Sequence, residues 1–286
     1  MNNSRLTSVL GLIFIFTFSI PCFSKEVKEK IERTLKFSNP SGKKEVIVDN
    51  INGSIEVEGY NGKEVQLVVN KTIFASSQER IDLARKKIRL EITEQDNTIE
   101  LYVDTPYRRR DGSMNHRGWR HDGYDVTFDF KLKVPRNTNV YLKTINEGTI
   151  EVRNVSGDYD LHNINGRIEA TGLSGSGRIY ALNGGITVDF EQNPKKDCYF
   201  GSLNGEIKVT FLAGLEADFR FKTFNGDVYT DFDVNYLAPR HATTKRRKGK
   251  YVYKADKAFG ARVGQGGPEI EFDGFNGDIY VNKKMR

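Results

Sequence analysis

The sequence predicts an all-β fold, a β-solenoid (a β-helix-like stack) of Asn-Gly repeats with an N-terminal mixed β capping region that contains one short helix. The first observation is the repeat itself, in which an apolar residue precedes Asn and Gly and alternating apolar positions flank both sides. The second is the spacing, which is 19, 18, 21 and 21 residues between Asn146 and Asn225. The repeated asparagines are Asn52, Asn146, Asn165, Asn183, Asn204, Asn225 and Asn276.

The alternation around each copy predicts two short strands with one buried face. In one copy Val140 and Leu142 precede Asn146, and Ile150 and Val152 follow it. Asn-Gly is also a strong hairpin signal, so an open antiparallel sheet is the alternative. The constant register favours a corner between two strands of one coil, because stacked coils place equivalent slots about 4.8 Å apart. The Asn side chains would then hydrogen-bond to one another as a ladder.

The first 24 residues have the pattern of a signal peptide. Arg5 precedes an apolar run at residues 10–20, which is too short to span a bilayer, and small residues precede Lys25. A lipid-modified Cys22 is an alternative, although Pro21 fits that motif poorly. We therefore expect an exported protein, periplasmic, extracellular or on the cell surface, with no transmembrane segment in the mature chain.

Residues 25–139 are expected to form the capping region, with the first repeat copy at 46–57. Two alternating strands joined through Asp96-Asn97 predict a hairpin, and a further strand ends at Pro135. Such a region would cover the end of the stack, which otherwise exposes an edge that aggregates. The repeats proper are expected at 140–286.

The short helix is predicted to begin near Ser76. Ser76 and Glu79 match a capping box, and Ile81, Ala84 and Ile88 share one face.

Two basic clusters interrupt the repeat pattern and are the predicted ligand-binding residues. Arginine forks and aromatic rings suit phosphates, sulfates and uronates, so the expected partner is an anionic glycan or lipid of the cell envelope rather than nucleic acid. The alternative is that basic loops only keep a repeat protein soluble. The first cluster comprises Arg108, Arg109, Arg110, Arg117, Trp119 and Arg120. The second, in an insertion at about 231–262, comprises Lys245, Arg246, Arg247 and Lys248.

Signatures of catalysis are mostly absent, and no catalytic residue, cofactor or metal is predicted. The sequence has no Gly-rich phosphate loop before a helix and no Gly-x-Ser-x-Gly elbow. Cys198 occupies an apolar slot of the repeat, which predicts a buried core residue rather than a nucleophile. His116 and His121 are expected in a solvated loop rather than around a metal.

Two acidic stripes provide the enzymatic alternative. Stacked carboxylates can raise one another's pKa and act as acid and base on a glycan, or can bind calcium, although a solvated face is the simpler interpretation. One stripe, two residues after Asn, is Glu206, Asp227 and Asp278. The other, near four residues after Asn, is Glu56, Glu151 and Glu169.

Several stretches together resemble a bacterial family of adhesin domains of unknown function that is predicted to form β-solenoids. They are the signal peptide, the repeat start at 48–57, the Ser-rich helix opening, the Val134-Pro135 lead into 140–152, and Gly264-Gln265-Gly266-Gly267-Pro268. The resemblance covers nearly the whole mature chain and its motifs are structural. It implies adhesion or envelope association and supplies no catalytic residues.

The function expected from the sequence is therefore that of an exported, non-enzymatic, envelope-associated binding, adhesin-like or scaffold protein. A polysaccharide-cleaving enzyme on a β-helix and a self-assembling structural protein are the alternatives. The sequence predicts neither the ligand's identity nor the oligomeric state.

Overall fold

A computed structural model describes residues 25–39, 41–110, 113, 123–237, 243–247, 250–254 and 259–284, with backbone alone at 243–247 and 250–254. The predicted signal peptide and Cys22 lie outside the described residues. Within those ranges, no helix is both long enough and apolar enough to cross a membrane.

The described chain contains twenty-three strands and one helix. The first part contains β1 (Lys25–Lys36), β2 (Lys44–Asp49), β3 (Ile55–Tyr60), β4 (Glu64–Ala75), α1 (Gln78–Lys87), β5 (Arg89–Gln95), β6 (Thr98–Asp104) and β7 (Tyr124–Pro135). The middle contains β8 (Thr138–Thr144), β9 (Ile150–Arg153), β10 (Tyr159–Asn163), β11 (Ile168–Leu173), β12 (Gly177–Ala181), β13 (Ile186–Phe190), β14 (Cys198–Asn204) and β15 (Ile207–Leu212). The last part contains β16 (Ala217–Asn225), β17 (Val228–Thr230), β18 (Val234–Leu237), β19 (Thr243–Arg247), β20 (Lys250–Lys254), β21 (Phe259–Val263), β22 (Glu269–Asn276) and β23 (Ile279–Lys284).

The strands form two large mixed sheets and one separate hairpin, which confirms the all-β prediction. Sheet A has ten strands in the order β1-β4-β7-β3-β9-β11-β13-β15-β23-β17. Sheet B has eleven in the order β18-β21-β16-β22-β14-β12-β10-β8-β2-β6-β5. Strands β19 and β20 pair only with each other among the described residues.

Every Asn-Gly repeat contributes one strand to each large sheet. The chain leaves sheet B at the Asn, turns a corner, and enters sheet A, so the Asn-Gly is not the loop of a hairpin. Neighbouring copies pair in parallel and in register, as Ile150, Ile168, Ile186 and Ile207 do on consecutive strands of sheet A. We call one such strand of sheet B and its successor in sheet A a repeat pair.

The repeat pairs do not follow one another in chain order at the carboxyl end. The last pair, β22/β23, lies between β14/β15 and β16/β17, so the terminal strands are internal in both sheets. A similar reversal occurs at the amino end, where the first pair β2/β3 lies between β8/β9 and the strands β6 and β7. Antiparallel strands lie outside these pairs: β4 and β1 in sheet A, β5 in sheet B, and β21 and β18 at the other end of sheet B.

Side chains that point between the two sheets form one continuous apolar core. Toward the carboxyl end the core is aromatic: Phe190 stacks on Phe211 with ring centroids 4.9 Å apart, and Phe272 lies between Phe200 at 5.5 Å and Phe221 at 5.1 Å. Aromatic pairs of this kind each contribute about 0.5–1.5 kcal/mol beyond the burial of their area. Stacked copies thus place equivalent residues in contact and stabilise one another.

The Asn side chains form a continuous hydrogen-bonded ladder along the corner. Each Nδ2 donates to the Oδ1 of the preceding asparagine at 2.8–3.1 Å. At the amino end the ladder stops where Asn52 Nδ2 donates to the carbonyl oxygen of Val126 at 3.1 Å. The spatial order is Asn52, Asn146, Asn165, Asn183, Asn204, Asn276 and Asn225.

Helix α1 begins one residue later than the sequence suggested. Ser77, not Ser76, is the N-cap, and its hydroxyl accepts a hydrogen bond from Arg80 N at 3.3 Å. Ile81 and Ala84 are buried as expected. The hairpin through Asp96 and Asn97 is also present, with φ values of 49° and 66° that fit a tight two-residue turn.

Candidate functional site

Arg108, in the first basic cluster, is buried inside the chain. Its side chain is 1% exposed, and Nη1 donates to the Asp49 carboxylate at 2.6 Å. Nη2 donates to the carbonyl oxygen of Val103 at 3.1 Å, and the guanidinium lies 4.8 Å from the Tyr102 ring centre. Through these contacts Arg108 holds the loop after β6 against β2, so its guanidinium is not available to a ligand.

The two following arginines are exposed, but only one is paired. Arg110 forms ion pairs with Glu91 at 2.6 Å and Glu100 at 3.0 Å, both on the outer hairpin β5/β6. Arg109 forms no ion pair with any described residue, and its backbone N–H donates to Ser113 O at 3.0 Å. The remaining predicted members, Arg117, Trp119 and Arg120, lie outside the described residues.

The second basic cluster lies on the separate hairpin β19/β20. Lys245 lies opposite Val252 and Arg247 opposite Lys250, and Arg246 faces Tyr251 across the strands. Lys248 lies outside the described residues. The strands that flank this hairpin in the chain, β18 and β21, lie in sheet B at the end away from β6, roughly 40 Å from it by strand spacing. No strand pairing among the described residues joins the two clusters.

A different set of polar and aromatic side chains does come together, on the outer face of sheet B. Parallel pairing aligns residues on four consecutive strands, β8, β10, β12 and β14, into two rows. The first row is Tyr141, Asp160, Arg178 and Tyr199. The second is Lys143, His162, Tyr180 and Gly201. We call these two rows the tyrosine face.

Contacts within the tyrosine face order its side chains. The Arg178 guanidinium carbon lies 4.1 Å from the ring centre of Tyr199, and His162 Nε2 is 2.7 Å from an oxygen of Asp160. His162 and Tyr180 have ring centres 6.2 Å apart. All three tyrosines are partly exposed. The face is thus a flat array of accessible rings and hydrogen-bonding groups.

Tyr199 lies across Gly201, the one position of the two rows without a side chain. A Cβ atom at Gly201 would lie 2.5 Å from the Tyr199 hydroxyl oxygen, so the ring needs a glycine beneath it. Partial burial, followed by the nearby carboxylates of Asp273 and Glu271, raises the pKa of Tyr199 to about 12. Its hydroxyl therefore remains a hydrogen-bond donor at all physiological pH values.

A shallow groove of about 300 Å³ adjoins the first row. Its walls include Tyr141 and Arg178, and its rim carries the ion pair of Asp158 and Lys196 at 2.9 Å. The groove is open to solvent along the face.

These positions were not among the residues singled out from the sequence. They occupy the two variable slots five and three residues before each Asn, which alternate with the buried apolar slots. Their outward direction follows from the same alternation that predicts the strands. The alternation therefore predicts that these side chains point outward, but it does not indicate which outward residues form a site.

The acidic stripes have the predicted register. Glu56, Glu151 and Glu169 are consecutive in sheet A. Each is next to a cation, since Glu56 pairs with Lys131 at 3.3 Å and Glu151 with Arg153.

In the other stripe the backbone N–H of Asp227 donates to Asp278 at 2.9 Å, and Glu206 pairs with Lys208. Among the described residues, no group of three or more His, Cys, Asp or Glu side chains is arranged to hold a metal ion. His116 and His121 lie outside that part of the chain.

Cys198 is a buried core residue. Its sulfur lies 3.7 Å from the hydroxyl of Tyr159, whose ring occupies the space that a side chain at Gly177 would need. Burial raises the pKa of the Cys198 thiol, which keeps it protonated and unreactive.

The chain matches no protein-family model and no curated protein. Among solved structures it is similar to a "putative cell adhesion protein" from Clostridium sporogenes, with 11% identity, a TM-score of 0.42, and coverage of 92% of this chain and 100% of that one. It is also similar to a "putative adhesin" from Bacteroides fragilis, with 11% identity, a TM-score of 0.37, and coverage of 90% and 97%. A "putative lipid binding protein" from Parabacteroides distasonis has 12% identity, a TM-score of 0.24, and coverage of 90% and 97%.

Proposed function

We propose that the chain is an exported, non-enzymatic binding protein of the cell envelope, folded as a capped β-solenoid. The solenoid is supported by repeat pairs that turn at Asn-Gly corners and stack in parallel register. The caps are supported by the antiparallel strands that lie outside the repeat pairs at both ends of sheet B.

One observation carries the binding role: the stack holds outward side chains in straight rows on a rigid frame. Backbone pairing, the Asn ladder and a filled core fix each row, so a ligand meets groups that are already ordered. Preorganisation of this kind increases affinity because little conformational freedom is lost on binding. An extended ligand can then contact several strands at once.

The proposed ligand is an anionic glycan or lipid of the envelope, bound partly through the basic clusters. Arg109 and the hairpin β19/β20 carry this part of the proposal. Arg108 and Arg110 contribute less, because their guanidinium groups already pair with carboxylates of the chain. Basic side chains attract polyanions mainly through long-range charge, which salt screens.

The enzymatic alternative has less support from the acidic stripes. Two carboxylates acting as acid and base require environments that separate their pKa values. Here Glu56, Glu151 and Glu206 each pair with a neighbouring cation on an exposed surface.

Binding of purified 25–286 to isolated envelope fractions over a salt series tests the proposal. We expect saturable binding that weakens with salt and falls at least fivefold when Arg109, Lys245, Arg246 and Arg247 are replaced by Gln. Binding that changes neither with salt nor with these substitutions would refute the role of the basic clusters. Absence of binding to any envelope fraction would refute the envelope role. A control variant replaces an equal number of exposed basic residues elsewhere: Lys86, Arg167, Lys195 and Lys208.

A further inference from the structure

We propose that the tyrosine face is a binding site for an acidic polysaccharide whose sugars carry carboxylates, a polyuronate. This deepens the proposed function, on which it rests, by naming a second surface and the chemical class of its ligand. The site lies at the middle of sheet B, and none of its residues belongs to either basic cluster.

The rings of the face suit sugar rings. Tyr141, Tyr180 and Tyr199 are partly exposed on a flat sheet, and each combines an apolar ring with a hydroxyl that donates and accepts. Sugars present the same combination, with C–H groups on the faces of the ring and hydroxyls around its edge. Strand spacing separates neighbouring positions by about 4.8 Å, so a chain of sugars crossing the strands meets a new side chain at each step.

Arg178 determines the preference for an acidic sugar. Its side chain is exposed, forms no ion pair with any described residue, and lies over the ring of Tyr199. A guanidinium held against a ring keeps its outer N–H groups free for a bidentate bond to a carboxylate. Lys196, at the rim of the groove, differs because it is paired with Asp158.

Polar groups beside Arg178 can serve the hydroxyls of the same ligand. His162 Nε2 and Asp160 Oδ1 are hydrogen-bonded at 2.7 Å. The other carboxylate oxygen and the other ring nitrogen remain for contacts with a ligand. The adjoining groove of about 300 Å³ is at the lower limit for ligand pockets and is open. It therefore fits one sugar of a longer chain better than an enclosed small molecule.

Isothermal titration of the 25–286 protein with an oligogalacturonate, and with neutral dextran as the comparison polymer, tests the proposal. We expect Arg178→Gln to weaken oligogalacturonate binding about tenfold or more, since it removes a charge-assisted bidentate bond. Arg167→Gln, an exposed arginine beyond the face, should leave the affinity within twofold. Dextran should bind at least tenfold more weakly than oligogalacturonate.

Tyr180→Ala provides a second variant, with an expected loss of threefold or more. Circular dichroism tests whether each variant folds. Arg178 is more exposed than Tyr180, so its replacement is expected to disturb the fold less. Oligogalacturonate affinities that stay within twofold in both variants, or equal affinities for the two polymers, would overturn the proposal. In that case the envelope-binding experiment still tests the proposed function separately. A loss of envelope binding in the variant with neutralised basic clusters would support the proposed function without this site.

Discussion

Arg108 and Arg109 are neighbours in the chain and lie in opposite environments. Arg108 is almost fully buried against Asp49, whereas Arg109 is exposed. Nothing in the local sequence of three arginines distinguishes them. The difference arises because β6 pairs with β2, which brings Asp49 beside Tyr102 and within reach of Arg108. A contact over 59 residues of sequence separation could not be read from the loop itself.

Replacement of Arg108 by Ala is expected to lower the free energy of unfolding by about 2 kcal/mol, because Asp49 and the Val103 carbonyl lose their partner. Replacement of the adjacent Arg109 by Ala should change it by less than about 0.5 kcal/mol. Chemical denaturation of the two variants measures both values. Equal effects of the two substitutions would argue against the internal role of Arg108.

At the scale of the repeat, close contact between copies explains the glycine after Asn more generally than unusual backbone angles do. Of the glycines in this column, Gly53 and Gly277 have positive φ, while Gly166 and Gly184 do not. At each of the later copies, however, an added Cβ would overlap the carbonyl oxygen of the glycine on the neighbouring copy. The sequence therefore reveals the motif, but the hairpin explanation of its glycine does not apply.

Gly184→Ala is expected to cost about 1–3 kcal/mol, because the new methyl group overlaps the carbonyl of Gly166 and separates two repeat pairs. Gly214→Ala is the matched control: no atom lies within 4 Å of the added Cβ, and φ is not positive. It should be neutral or up to about 1 kcal/mol more stable. Thermal melting of the two variants distinguishes them, and a harmless G184A would contradict the contact argument.

At the scale of the molecule, the strands and their buried faces could be predicted from alternation and spacing, whereas their spatial order could not. All copies present similar apolar slots, so Asn276 fits beside Asn204 as well as Asn225 would. In the structure β21 pairs with the other side of β16, and β18 pairs with β21. These tertiary pairings accompany the observed order and are not visible in the repeat pattern. The repeated pattern therefore predicts the strands of each repeat pair, but it does not predict the order of the repeat pairs in the two sheets.

Hydrogen exchange should reveal this order. The amides of β22 are expected to exchange as slowly as those of β14, because the strand is hydrogen-bonded on both sides despite its place near the carboxyl end. The amides of β1, an edge strand at the other end of the chain, should exchange much faster. Fast exchange throughout β22, at rates like those of β1, would mean that the last repeat pair is not internal.

The pair β22/β23 lies between repeat pairs that are both synthesised before it. A nascent chain presents β16 and β17 before β22 and β23 exist, so the aromatic core between Phe200 and Phe221 closes only when Phe272 arrives. A chain that ends early loses a middle layer instead of an outer one. It is left with exposed apolar surface, which proteases and chaperones recognise.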